Sequence, residues 1–191
     1  MNNFYAYLSR MKYIERWSLM HSSKKENIME HSEQVAILAH ALATIKNVYF
    51  KGNINTDRIA TLAIFHDASE VITGDLPTPV KYYNAELRDA YKGLESIACN
   101  KLLDMLPAPL KDLYAPLFFT SSDSEEYQII KAADKLAAYI KCLEELNFGN
   151  KEFSKAKLAI EKDLKSYALP ELDFFMDNFV PSYKKTLDEL D

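Results

Sequence analysis

Glycine and proline are too scarce in this chain for a fold built on tight turns. Four glycines and seven prolines in 191 residues leave few sites for the hairpins and corners that an all-β architecture repeats. The breaks fall at Gly52, from Gly74 to Pro79, at Pro107, Pro109 and Pro116, at Gly149, and at Pro170 and Pro181. Between them run long segments with apolar residues at steps of three and four, the period of an amphipathic helix. The expectation is an all-α bundle of about seven helices, near 3–11, 29–46, 55–71, 84–106, 123–147, 151–166 and 171–189. Pro181 should break or restart the last of them. No composition shift, linker or internal repeat divides the sequence, so 1–191 is expected to form a single compact domain.

Three of these segments place ionisable groups on faces that should be buried. In 29–46, Val35, Leu38, Leu42 and Ile45 form one stripe, and His31 sits on it four residues before Val35. His40 lies roughly 180° round the same helix and points away, and His21 belongs to no pattern. In 123–147 the stripe is Tyr127, Ile130, Ala133, Ala137 and Ile140, with Asp134 set among them. In 55–71, His66, Asp67 and Glu70 fall at about 0°, 100° and 40° on the helical wheel and continue the stripe of Ile59, Leu62 and Ala63. Burying such groups uncompensated costs several kcal/mol, and a divalent cation satisfies imidazoles and carboxylates together. Two imidazoles and two carboxylates suit manganese, cobalt, iron or zinc, with positions left for water and substrate. Cys99 and Cys142 lie in no CxxC or Cys/His cluster, so neither a disulfide framework nor a thiolate site is expected.

Charge and hydropathy narrow the partners. With 23 Lys and Arg against 28 Asp and Glu, the net charge of −5 has the wrong sign for gripping a nucleic-acid polymer. No uninterrupted apolar run exceeds five residues, and Met1-Asn2-Asn3-Phe4 shows no basic segment before a hydrophobic stretch. Neither a membrane span nor a signal peptide is expected, and the cytoplasm is the expected location.

The order His31, His66-Asp67, Asp134 resembles the H...HD...D signature of HD-domain metal-dependent phosphohydrolases. Glu15-Arg16-Trp17, Glu30-His31-Ser32, His66-Asp67-Ala68-Ser69-Glu70, Thr73-Gly74-Asp75-Leu76-Pro77-Thr78-Pro79-Val80-Lys81-Tyr82 and Lys141-Cys142-Leu143-Glu144-Glu145 are similar to the bacterial 5'-deoxynucleotidase subfamily. The resemblance runs over nearly the whole chain. It implies an all-α HD domain holding one divalent metal ion, cobalt, manganese or another transition metal, through His31, His66, Asp67 and Asp134. It implies a phosphoric monoester hydrolase that cleaves deoxyribonucleoside 5'-monophosphates to deoxynucleoside and phosphate, selective against ribonucleotides, and a homodimer. By the same resemblance Arg16 is the phosphate clamp, Trp17 orients the phosphate or lines the pocket, and Asp67 also meets the substrate.

Residue chemistry adds to this. Glu70, one turn beyond His66 and not needed as a ligand, is the candidate for proton transfer to the leaving oxygen. The turn Asp75-Leu76-Pro77-Thr78 follows the metal-bearing segment and can reach the sugar, with Asp75 accepting a hydrogen bond from the 3'-hydroxyl. Two other readings stay open. A phosphohydrolase of the same superfamily acting on a cyclic dinucleotide, a triphosphate or a pyrophosphorylated alarmone would need more cations than Arg16, Lys24-Lys25 and Lys81 supply. A non-enzymatic metal-binding or nucleotide-sensing module would leave Glu70 without a task.

Overall fold

A computed structural model of the protein describes residues 2–191; Met1, the first residue of the expected domain, lies outside them. The chain is all-α, and among the described residues the one β-type pairing is an isolated bridge between Glu15 and Asn27. The helices are α1 (Phe4–Leu8), α2 (Ile28–Tyr49), α3 (Thr56–Phe65), α4 (Glu70–Thr73), α5 (Thr78–Lys81), α6 (Ala85–Leu103), α7 (Ala108–Phe118), α8 (Glu125–Asn147), α9 (Ser154–Ser166) and α10 (Pro170–Asn178). Short 3-10 turns follow α1 and α10. Among the described residues no helix is long and apolar enough to cross a membrane.

Side chains start the long helices where the sequence changes character. Asn27 accepts hydrogen bonds from the backbone N–H groups of Met29 and Glu30, Asn55 from Arg58, Asn84 from Leu87, and Ser124 from Tyr127. Each satisfies donors that the first helical turn leaves unpaired. The long α2 and α8 pack together with α3, α9 and α10 around Val35, Leu38, Leu42, Ile59, Leu62, Ile129, Leu136 and Ile140. A second, smaller cluster joins Phe4 of α1 to Leu102 and Leu103 of α6, with Phe65, Val71, Ile72, Tyr114 and Phe118 packed against it. Phe65 and Val71 flank residues 66–70, so that segment is anchored from both sides.

The structure departs from the expected helices in three places. The segment 55–71 is not continuous: α3 ends at Phe65, and α4 begins only at Glu70. Through the break the hydrogen bonds shorten to three-residue steps, with Ala68 N–H donating to Phe65 O and Glu70 N–H to Asp67 O. The helical-wheel angles for His66, Asp67 and Glu70 therefore do not apply, because these residues line a tight turn. Second, α7 occupies 108–118, which the sequence reading took as proline punctuation. Pro107 caps it and Pro109 lies in its first turn, where a missing N–H costs no intrahelical bond. Pro116 sits near its end. Third, 3–11 and 171–189 divide into short α-helices and 3-10 turns, the latter where Pro181 requires it.

Candidate metal centre

Three separate elements bring four side chains together. His31 comes from α2, His66 and Asp67 from the turn after α3, and Asp134 from α8, and one ligand atom from each lies within 4.8 Å of all the others. His31 is fully buried. Its Nε2 is 3.1 Å from Asp134 Oδ1 and 3.6 Å from Asp67 Oδ2. His66 Nε2 is 3.1 Å from Asp67 Oδ2, but that contact is not aligned for a hydrogen bond.

The His66 ring is fixed by its other nitrogen. Nδ1 donates to the Ala63 carbonyl at 2.7 Å, which places the tautomer and caps the end of α3. Among the described residues Nε2 is buried with no hydrogen-bond partner, as is His31 Nδ1. A histidine whose Nδ1–H is held by a carbonyl and whose Nε2 is free beside two carboxylates is a ready metal ligand. Without an ion the two imidazoles shift in opposite directions: the Asp67 charge raises the His66 pKa against burial, whereas His31 moves down. Burial and the Arg16 charge lower the His31 pKa more than Asp134 and Asp67 raise it, leaving a neutral imidazole. Asp67 is held well below the carboxylate range because the nearby charge of His66 outweighs burial, and Asp134 likewise through its hydrogen bond with His31. The donor set fits one divalent ion.

Of the expected substrate residues, Arg16 reaches this cluster directly. Arg16 Nη1 lies 3.6 Å from Asp67 Oδ2. Burial works against its charge, but Asp134, Asp67, Glu26 and Asp75 together outweigh it and raise the Arg16 pKa. Trp17 sits beside it, its ring 5.3 Å from that of Phe153 and its backbone in the left-handed region at φ 59°. A non-glycine residue there costs of order 1–3 kcal/mol. Glu70 is buried and its Oε2 has no partner. Burial first, then Asp67 and Asp75, push its pKa up to about 10.

Gly74, at φ 73°, ends α4 and reverses the chain, placing Asp75 where it feels Arg16 and Asp67. Among the described residues no protein hydrogen bond or ion pair engages the Asp75 carboxylate. Leu76 and Pro77 are half-buried and Thr78 is exposed. Thr78 opens α5, so the expected loop is partly helical. His21 and His40 are both exposed, and neither belongs to the cluster.

Two residues escaped the sequence reading. Lys131 lies one turn before Asp134 on α8, and Asp134 and Asp67 raise its pKa against the effect of burial; its spacing from Asp134 was the signal. Glu26 accepts hydrogen bonds from both Arg16 Nε and Trp17 Nε1, and only the unforeseen bridge between residues 15 and 27 brings it there.

Comparison with known proteins gives a consistent result. The sequence family described as 5'-deoxynucleotidase YfbR-like matches residues 3–183. A 5'-deoxynucleotidase of Erwinia tasmaniensis is 55% identical over 190 residues, covering 99% of this chain and 96% of that protein. The 5'-deoxynucleotidase YfbR of Salmonella paratyphi B is also 55% identical, with the same coverage. Among solved structures, an HD-domain phosphohydrolase from Listeria innocua superposes with a TM-score of 0.84 at 22% identity, covering 95% of this chain and 88% of that one. The cyanophage S-2L HD phosphohydrolase DatZ, bound to dA and one catalytic Zn2+ ion, superposes with a TM-score of 0.65 at 19% identity, covering 93% and 96%. At these identities the structural matches establish the shared HD fold.

Proposed function

The chain belongs to the YfbR-like 5'-deoxynucleotidase family and is a phosphohydrolase, and from that premise we propose that it hydrolyses deoxyribonucleoside 5'-monophosphates in a metal-dependent reaction, in preference to ribonucleotides. One observation carries the reading: four metal-type ligand atoms from three elements converge within 4.8 Å, with an arginine beside them and a buried, proton-holding glutamate nearby. His31, His66, Asp67 and Asp134 would hold one divalent ion, cobalt, manganese or another transition metal, which when bound supplies Lewis acidity toward phosphate and an activated water.

The remaining steps belong to the chain. Arg16 presents its Nη edge to the phosphoryl oxygens, a fixed fork that neutralises charge as it builds. Glu70, whose burial and whose neighbours Asp67 and Asp75 favour its protonated form, donates to the 5'-oxygen as the phosphorus–oxygen bond breaks. Asp75, free of protein partners, accepts from the 3'-hydroxyl, while Leu76, Pro77 and Thr78 form the sugar side of the pocket. The Trp17 ring walls the site near Arg16, and Asp67 meets the substrate as well as the ion. A ribonucleotide would place its 2'-hydroxyl without a partner in a closed pocket, which costs about 1–3 kcal/mol. The zinc and dA of the cyanophage protein support this assignment by analogy of fold.

The proposal extends to a single HD domain over 1–191 acting as a cytoplasmic homodimer, which light scattering of the purified protein checks. Phosphate release from dAMP and AMP, before and after chelation, tests the activity: dAMP turnover that disappears with the metal and returns on adding cobalt or manganese is expected. Equal specificity constants for dAMP and AMP would defeat the deoxynucleotide reading.

A further inference from the structure

We propose that Glu26 is the positioning residue of the phosphate clamp: one carboxylate oxygen orients both Arg16 and Trp17 toward the metal centre. The inference rests on the assignment of Arg16 as the clamp. Glu26 Oε2 accepts from Arg16 Nε at 3.1 Å and from Trp17 Nε1 at 2.9 Å. The Glu26 main-chain carbonyl accepts in addition from Arg16 N–H at 2.9 Å. Three bonds from two neighbouring residues thus end on one side chain and its own backbone. The Arg16 and Glu26 side chains are only 13% and 11% exposed, so water competes weakly for these bonds.

The geometry assigns each donor a use. A guanidinium has one Nε–H and two terminal nitrogens. With Nε occupied by Glu26, the terminal edge is left facing Asp67, with Nη1 at 3.6 Å, where a phosphate held at the metal centre would sit. The Trp17 indole N–H is spent on the same carboxylate, so Trp17 contributes its ring and not a donor to the substrate. Its left-handed backbone, φ 59°, is a conformation that a bulky residue holds only when its surroundings impose it, and the Glu26 bond and the Phe153 contact are among those surroundings.

Glu26 does not hold the whole loop. Ser23 and Lys24 donate their backbone N–H groups to Glu145, and Ile28 N–H donates to Ile14 O at 3.0 Å. Loss of the Glu26 carboxylate should therefore loosen the clamp without unfolding the segment.

The test compares the metal-loaded wild type with Glu26→Gln, Glu26→Ala, Arg16→Ala and the double variant Arg16→Ala/Glu26→Gln, using dAMP as substrate. Both bonds end on one oxygen, so a glutamine carbonyl can still accept from both donors but without the negative charge, which weakens the pair and does not abolish it. The expected result is a specificity constant lower by roughly 10- to 100-fold in Glu26→Ala and less in Glu26→Gln, carried mainly by a higher KM, because a displaced clamp binds the phosphate poorly. Trp17 is the sole tryptophan, so its fluorescence reports the loop directly: acrylamide quenching should increase in Glu26→Ala and by less in Glu26→Gln. In the Arg16→Ala background, Glu26→Gln should change the specificity constant by less than about two-fold, since the residue it orients is gone. A lower kcat at unchanged KM and unchanged quenching would mean a smaller folded fraction and would overturn the positioning role. Normal kinetics in the Glu26 variants beside a crippled Arg16→Ala overturn the role of Glu26 alone. An Arg16→Ala variant with wild-type kcat/KM overturns the clamp assignment, and the role of Glu26 with it.

Discussion

Two clusters of charged side chains share helix α8, and they are completed in different ways. Toward its C-terminal end, Lys141 Nζ donates to Glu145 Oε1 and to the Lys24 carbonyl, both at 2.6 Å. Glu145 in turn accepts from Ser23 N–H, Lys24 N–H and Asn150 Nδ2. Every buried polar atom of that cluster finds a protein partner. Around Asp134, by contrast, His31 Nδ1, His66 Nε2 and Glu70 Oε2 are buried without one. Buried polar groups in native proteins are overwhelmingly satisfied, so the closed cluster is structural and the open one is built for something the chain does not supply. An orphan atom alone is not enough. Among the described residues Glu171 Oε2 also lacks a partner, but no set of further metal-type ligands converges on it there.

The sharpest way to break this contrast is to remove one member from each cluster. Asp134→Ala should reduce dAMP hydrolysis by more than about 100-fold, beyond the loss typical of a group that merely supports a ligand, with the helical circular dichroism retained. A variant that loses helicity in parallel would make Asp134 structural. Next comes Glu70→Gln, for which the expected fall in kcat is about 10²- to 10⁴-fold with metal content unchanged, since the amide keeps the shape and cannot give up the proton. A raised KM at constant kcat would make Glu70 a binding residue.

Glu145→Ala should show the opposite pattern. Leaving the Lys141 ammonium buried without its carboxylate costs about 3–5 kcal/mol of stability, measured by urea unfolding, while the ion still binds at the other cluster. Loss of metal with little loss of stability would erase the distinction between the two.

How much of this was legible in the sequence follows from regularity. His31 and Asp134 were readable because α2 and α8 are long and unbroken, so a residue's place on the apolar stripe gives its direction. His66, Asp67 and Glu70 were singled out on a geometry that the structure does not have: the helix stops at Phe65, and the turn that follows has no periodic signature. α7 was hidden because Pro107 and Pro109 read as breaks, although the first turn of a helix accepts proline. Glu26 was invisible because its role depends on a single bridge between Glu15 and Asn27, and local pattern does not specify so short a pairing.

Smaller effects sharpen the account further. Selectivity for dAMP over AMP is expected at roughly 5- to 150-fold, the equivalent of one unpaired hydroxyl, and Asp75→Ala should diminish it. An intact preference in that variant would move the sugar gate off the Asp75 turn. The Glu145 pKa is lowered to about 2, since hydrogen bonds from Lys141, Ser23, Asn150 and Lys24 together outweigh burial. A depressed folded pKa gives stability that is fully present above the ordinary value of 4.5 and is lost as pH falls toward about 2. Glu145→Gln should therefore flatten the acid limb of the stability curve, and an unchanged limb would remove Glu145 from that balance.

The most direct measurement is a metal titration of chelator-stripped protein, following bound cobalt and phosphate release from dAMP in the same samples, for wild type and Asp134→Ala. One ion per chain in the wild type is predicted, with activity rising in proportion to occupancy and neither tight binding nor turnover in the variant. Full turnover by the stripped wild type, or wild-type turnover by Asp134→Ala at the same metal concentration, would contradict the four-ligand centre.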